Sequence, residues 1–390
     1  MNDRQYSAAQ QRLARLEGFL QQDPGNANLR ADTFYAALQC GEWQRAGAQL
    51  EWARTAQPGE AAWALREGDW LIAQKRYPEA RNFLEHLRTQ AAGSAPLERV
   101  IEQNLGFIAF SEGRFADAIA QLKPLTDDTG EAPSASLQQL WLRALHRVGD
   151  VAGACDWAAR AEARGQLDAG AAGIAALAAI DLADFAAAQR WCRVAESAGV
   201  ANMEALVARS SIALAVPDAN TARQLAMQAT EINARDGRAW SARAFAELLA
   251  GDLAAARASF DQALAFMPQH IGTWHGQGWV QVLQRDGAGA RASFEHALQL
   301  DRNFAESHGG LAVALAMQGD AAAAREHIAL AQRLDRASLS SRYAEAILSG
   351  EAQDAQAIQR LAHRLLGARA APLGGTMGES LPGSSGKTLH

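Results

Sequence analysis

Residues 237–270 read GRAWSARAFAELLAGDLAAARASFDQALAFMPQH, and residues 271–304 read IGTWHGQGWVQVLQRDGAGARASFEHALQLDRNF. Laid one above the other, the two lines share their spacing. Trp240 and Trp274 are 34 residues apart, Phe260 and Phe294 repeat that interval, and Gly251-Asp252 stands over Arg285-Asp286. Stepping outward by the same interval gives units starting at 27, 61, 99, 135, 169, 203, 237, 271 and 305, with small insertions before 99 and 135. The twentieth residue of every unit is alanine: Ala46, Ala80, Ala118, Ala154, Ala188, Ala222, Ala256, Ala290 and Ala324. A fixed period of this length marks a repeat architecture, in which each small unit buries its apolar face against the next.

Inside a unit, positions 4, 7, 8 and 11 form one apolar stripe and positions 20, 24, 27 and 28 form another, both at helical periodicity. The eighth position is usually small, as in Gly68, Gly106, Ala176, Ser210, Ala244, Gly278 and Ala312, with Phe34 and Leu142 as exceptions. Between the stripes come turn signals: Gly41-Glu42, Gly113-Arg114, Gly149-Asp150, Gly251-Asp252 and Gly319-Asp320. Glycine ends a helix in the left-handed conformation, and aspartate caps the next one. Pro24, Pro58 and Pro268 close units, because proline brings no amide proton to continue the second helix. Each unit is predicted to be a helical hairpin.

Trp, a small residue, Ala, Phe, Ala and Pro at these spacings resemble the tetratricopeptide repeat, over residues 27–338. The resemblance implies an all-α fold, a right-handed α-α superhelix of about nine to ten hairpins. Residues 1–26 are expected to supply a capping helix (Gln5 to Gln22), and residues 339–369 a degenerate tenth hairpin with Ile358 in place of the twentieth-position alanine. The Gly-, Ser- and Pro-rich segment 370–390 is expected to be disordered.

Composition agrees with helix and excludes several functions. Of 390 residues, 49% are hydrophobic and 21% charged, with alanine well ahead of the β-branched types. A net charge of -6 without a long basic run speaks against nucleic acid as the main partner. Cys40, Cys155 and Cys192 are few, odd in number and dispersed, which fits the reducing cytosol, with Cys155 and Cys192 expected as buried apolar groups. Residues 1–20 lack the apolar centre of a secretory signal, and Ala169 to Ala183 is too short to span a bilayer, so a cytoplasmic location is expected.

No catalytic signature assembles. Gly386-Lys387-Thr388 ends like a phosphate loop but has Leu381 where the first glycine is needed. None of the nine histidines forms the paired or cysteine-flanked spacing of a metal site, so neither an enzyme nor a metal or other cofactor is expected.

In tetratricopeptide-repeat proteins, positions 2, 5, 9, 12 and 13 of the first helix line the inner surface. The resemblance therefore implies a groove. Its amino-terminal half is Tyr35, Arg66, Asp69, Gln103, Asn104, Phe107, Gln139, Arg143, His146 and Arg147, counting the sixth-position residues Arg66 and Asn104 that border it. Its carboxyl-terminal half is Ser241, Phe245, His275, Trp279, Val313 and Met317, with Leu248 and Val282 equally readable as packing residues. The Lys and Asn pattern that clasps a terminal carboxylate is not reproduced, nor is an Asn ladder at position 6, which reads Asp32, Arg66, Asn104, Leu140, Ile174, Ala208, Ala242, Gly276 and Gly310. The implied function is an interaction scaffold whose carboxyl-terminal groove receives an amphipathic helix or extended peptide segment of another protein, with Arg66, Arg143 and Arg147 contacting acidic residues nearby, as in bacterial secretion, pilus or envelope assembly. Two other readings stay open: an accessory subunit for an enzyme supplied in trans, and self-assembly into a homo-oligomer.

Overall fold

The computed structural model describes residues 3–91, 93–127 and 132–351. Among the described residues all twenty elements are α-helices, and they fall into two units that divide between Asp150 and Val151. The amino-terminal unit holds α1 (Asp3–Gln22), α2 (Ala27–Cys40), α3 (Trp43–Ala56), α4 (Ala61–Ala73), α5 (Tyr77–Gln90), α6 (Ala95–Ser111), α7 (Phe115–Thr126) and α8 (Ala135–Arg147). The carboxyl-terminal unit opens with α9 (Val151–Ala163), α10 (Ala169–Asp181), α11 (Phe185–Glu196), α12 (Met203–Ala215), α13 (Ala219–Ile232) and α14 (Gly237–Leu249). It continues with α15 (Leu253–Phe266), α16 (Ile271–Leu283), α17 (Gly287–Leu300), α18 (Ala305–Met317), α19 (Ala321–Leu334) and α20 (Leu339–Leu348). The division falls in the turn of the hairpin that starts at 135, where the sequence suggests an unbroken array. The second helix of the expected tenth hairpin, with Ile358, and segment 370–390 with Gly386-Lys387-Thr388 lie outside the described residues.

The local chemistry sets the helix ends. Asp184, Asp218, Asp252, Asp286 and Asp320 each accept a hydrogen bond at 2.9–3.1 Å from the backbone N–H three residues on, which starts α11, α13, α15, α17 and α19. The residue before these caps takes positive φ. Gly251 and Gly319 do so freely, whereas Ala183 (φ 57) and Arg285 (φ 61) do so against their own Cβ. Helix α6 begins at Ala95, four residues ahead of the repeat start at 99, because Pro96 sits in its first turn, where no amide proton is required.

The core follows the repeat. All nine twentieth-position alanines are buried. Position 8 is small because a larger side chain from position 24 lies over it. A Cβ on Gly68 would stand 2.8 Å from Leu84 Cδ2, one on Gly106 2.5 Å from Leu122 Cδ2, and one on Gly278 2.7 Å from Phe294 Cζ. Ser210, at position 8 of its unit, donates from Oγ to the Ala222 carbonyl at position 20 (2.9 Å). Cys192 is buried and donates to the Ala205 carbonyl, while Cys155 is only half-buried, which corrects the expectation that both are interior. Burial pushes their thiols up to about 12 and about 11, so neither is a ready nucleophile at neutral pH.

Candidate functional site

In the amino-terminal unit the first helices α2, α4 and α6 carry a hydrogen-bonded ladder across their common face. Tyr35 donates from its hydroxyl to Asp69 Oδ2 (3.3 Å), and Asn104 donates from Nδ2 to Asp69 Oδ1 (3.1 Å). The Arg66 guanidinium lies over the rings of Trp63 (4.5 Å) and Tyr35 (5.6 Å). Its Nε is buried with no hydrogen-bond partner among the described residues. Burial raises the Asp69 carboxyl above its ordinary range, even though Asn104, Tyr35 and Arg66 each pull it down. Burial, helped by the Asp69 charge, likewise raises the Tyr35 hydroxyl.

Position 9 of three successive first helices is thus Tyr35, Asp69 and Phe107, and the two aromatics remain 43% and 40% exposed. Val100, at position 2 of its unit and on the same face of α6 as Phe107, is also exposed; the sequence reading missed it although it stands at a groove position. Gln103 donates to Ser136 Oγ on α8 (3.0 Å). On α8, Gln139 and His146 are half-buried, and Arg143 and Arg147 are exposed. Arg147 turns its guanidinium onto the Phe115 ring at the start of α7 (5.1 Å) and so is committed to the hairpin.

The carboxyl-terminal unit treats the same positions differently. Val313 is 0% exposed and Ser241 is buried against Thr273 (Oγ to Oγ1, 3.3 Å), which corrects the expectation that they face a ligand. Phe245 meets Phe260 edge to face at 5.0 Å, and its Cζ lies 2.9 Å from where a Cβ on Gly276 would stand. Trp279 packs against Phe294 and, across to α20, against Tyr343 (ring centroids 5.7 Å). Its indole N–H donates to His275 Nε2 (2.9 Å), and burial pushes the His275 imidazole down to about 4. Met317 is half-buried against the same core, as Leu248 is against the Phe260 cluster, and Val282 is interior. At position 13, Leu249 (40% exposed) and Leu283 (48% exposed) remain outside. A cleft of about 140 Å³ remains on this face, lined by Leu177, Val207, Leu214, Ser241 and Phe245. An ion pair between Arg238 and Asp181 (3.1 Å) joins α14 to α10 there.

What separates the two faces is the next helix's sixth residue. Tyr35 meets Arg66, Asp69 meets Asn104, and Phe245 meets Gly276. The larger side chain at position 6 leaves Tyr35 half in solvent, and the glycine there lets Phe245 pack onto the Phe260 cluster.

Among the described residues no three His, Cys, Asp or Glu side chains are grouped as a metal ion would need, and no helix is long and apolar enough to cross a membrane.

No family model and no curated protein matches the chain. Solved structures do. A monomeric mutant of IFIT1, solved with m7Gppp-AAAA, superposes with a TM-score of 0.53 at 12% identity, covering 87% of this chain and 87% of its own. A tetratricopeptide repeat protein from Parabacteroides merdae ATCC 43184 gives a TM-score of 0.49 at 13% identity, over 65% of this chain and 98% of that one. The Cut9-Hcn1 hetero-tetramer of the APC/C gives 0.46 at 13% identity, over 87% and 79%. The fold of each unit is an all-α stack of helical hairpins, repeating at the 34-residue period of the sequence.

Proposed function

We propose that the protein is a non-catalytic, cytoplasmic interaction scaffold whose amino-terminal unit lays a segment of a partner polypeptide along the exposed face of α2, α4, α6 and α8. The observation that carries this reading is the row Tyr35, Asp69, Phe107: two exposed aromatics at equivalent positions flank a carboxylate that its neighbours fix in place. Aromatic side chains on a rigid frame give contact area at little entropic cost. The carboxylate stands where burial opposes its charge, which favours a partner that brings a lysine or arginine over Asp69. The m7Gppp-AAAA seen with IFIT1 is not extended to this chain, whose net charge is -6. Roles in secretion, pilus or envelope assembly, or as an accessory subunit of an enzyme, would use the same face.

Peptides selected from a random displayed library against the full chain test the reading. Enriched sequences are expected to share a basic residue, and Phe107→Ser and Tyr35→Ser to weaken them by about 2 kcal/mol or more each. Loss of binding with Phe245→Ala or Trp279→Ala instead, and none with the first pair, would move the site to the carboxyl-terminal unit.

A further inference from the structure

The fourth residue of a repeat has a recurrent task that does not depend on its type. Arg30 Nε donates to the Pro24 carbonyl (3.1 Å), Trp240 Nε1 to Ala234 (2.9 Å), Trp274 Nε1 to Pro268 (2.8 Å) and Arg342 Nη2 to Arg336 (3.3 Å), each six residues back. His308 fills this position in its unit, and its Nε2 stands 2.9 Å from the Arg302 carbonyl. A carbonyl only accepts, so His308 carries its proton on Nε2 and its Nδ1 is a lone pair.

That lone pair faces His327 Nδ1 at 3.0 Å, with the two rings stacked at 5.2 Å between centroids. His327 must then donate from Nδ1, and its own Nε2 is the one site of the pair that can take a proton with the contact intact. A second proton has to go to His308 Nδ1. Two N–H groups would then point at each other across 3.0 Å with no acceptor between two positive rings. Besides His308 on α18, the charged groups around His327 are Glu326 on α19, and Glu295 and Arg291 on α17, the last two ion-paired at 2.8 Å.

We propose that His308 and His327 form a proton-released clasp that holds α18 to α19 at neutral pH and opens this hairpin of the carboxyl-terminal unit on acidification. Beyond its two neutral N–H protons the closed pair takes up at most one more and the opened pair two, so the clasp weakens as pH falls through the histidine range. Burial and the His308 charge lower His327 more than the two glutamates raise it, which has the same sign. Opening would uncover the apolar surface between the helices, around Leu311, Ala312, Ala324 and Ile328.

Hydrogen exchange on the full chain at about pH 7.5 and about pH 5, corrected for intrinsic rates, reads the clasp directly. Amides of α18 and α19 are expected to lose protection by about tenfold or more at the lower pH, beyond any change in α14 and α15. The double variant H308W/H327S reproduces the Trp and Ser that stand at these positions in the two preceding units, as Trp240 with Ser259 and Trp274 with Ser293. It should lose the pH dependence, and an unchanged dependence would overturn the proposal. Ring ¹⁵N shifts of the unaltered protein at neutral pH give a second test without substitution. The clasp requires Nε2–H on His308 and Nδ1–H on His327; the same tautomer on both would overturn it.

Discussion

The amino-terminal and carboxyl-terminal units are written in one repeat, yet their ninth residues do opposite things. Tyr35 and Phe107 stand in solvent, whereas Phe245 and Trp279 are drawn into the packing of their own unit. The aromatic residues are alike; their surroundings are not. The sixth residue of the next helix is Arg66 after Tyr35 and Leu140 after Phe107, but Gly276 after Phe245 and Gly310 after Trp279. Groove residues therefore cannot be chosen by repeat position alone, because the next helix decides whether a given side chain is a surface or a plug.

The largest effects that could break this contrast lie in the carboxyl-terminal core. A Cβ on Gly310 would stand 2.4 Å from Phe294 Cε1, and one on Gly276 would stand 2.4 Å from Phe260 Cζ and 2.9 Å from Phe245 Cζ. Rings cannot yield as a leucine tip can. Gly310→Ala and Gly276→Ala are expected to cost about 2–3 kcal/mol, as are Ala256→Leu and Ala290→Leu at fully buried sites. Gly68→Ala, which meets the flexible end of Leu84, should cost about 1 kcal/mol or less. Urea unfolding of the five variants gives the order directly, and equal costs for Gly68→Ala and Gly276→Ala would remove the distinction.

Acid should act on the two units with opposite sign. His275 titrates in the folded protein at about 4, below its unfolded value, so its contribution is present above the unfolded pKa and is lost as pH falls through about 4. His270 is lowered in the same direction, chiefly by burial. Asp69 is raised, so its charge opposes folding at neutral pH and that penalty disappears as the carboxyl protonates. Asp69→Asn should thus leave the thermal midpoint at neutral pH unchanged or higher, and remove the pH dependence assigned to this site. A clearly lower midpoint would mean that the ionised ladder stabilises the unit. His275→Phe should flatten the loss of carboxyl-terminal stability between the ordinary histidine range and about pH 4; an unaltered acid limb in circular dichroism would contradict that.

A smaller change sharpens the comparison at the turns. Arg285 and Ala183 take positive φ where other units place glycine. Arg285→Gly and Ala183→Gly are each expected to stabilise by about 0.5–1 kcal/mol, the left-handed penalty less the added chain entropy of glycine. A loss in calorimetry would show that the side chains compensate.

The fold was legible because its signals repeat. One alanine per unit, a small residue facing position 24 in most units and an aspartate before the second helix in the last six declare helical hairpins without reference to anything distant. The site was legible only in part. Tyr35, Arg66, Asp69 and Asn104 come together, but Ser241 and Val313 are interior, and Val100, Leu249 and Leu283 went unnamed. Part of the needed signal was in the sequence, since the position-6 residues that follow Tyr35 and Phe107 are Arg66 and Leu140, whereas glycine follows Phe245 and Trp279 as Gly276 and Gly310, and that position bears on packing as well as on ligands. The early start of α6 at Pro96 and the division after Asp150 depend on local and tertiary geometry that a period of 34 does not carry.

Hydroxyl-radical footprinting of the free protein, read by mass spectrometry at single residues, tests the contrast most directly. Tyr35 and Phe107 should be oxidised readily, and Phe245 and Trp279 should be protected in proportion to their packing. Equal labelling of Phe107 and Phe245, or heavier labelling of Phe245 and Trp279, would contradict it and return the docking face to the carboxyl-terminal unit.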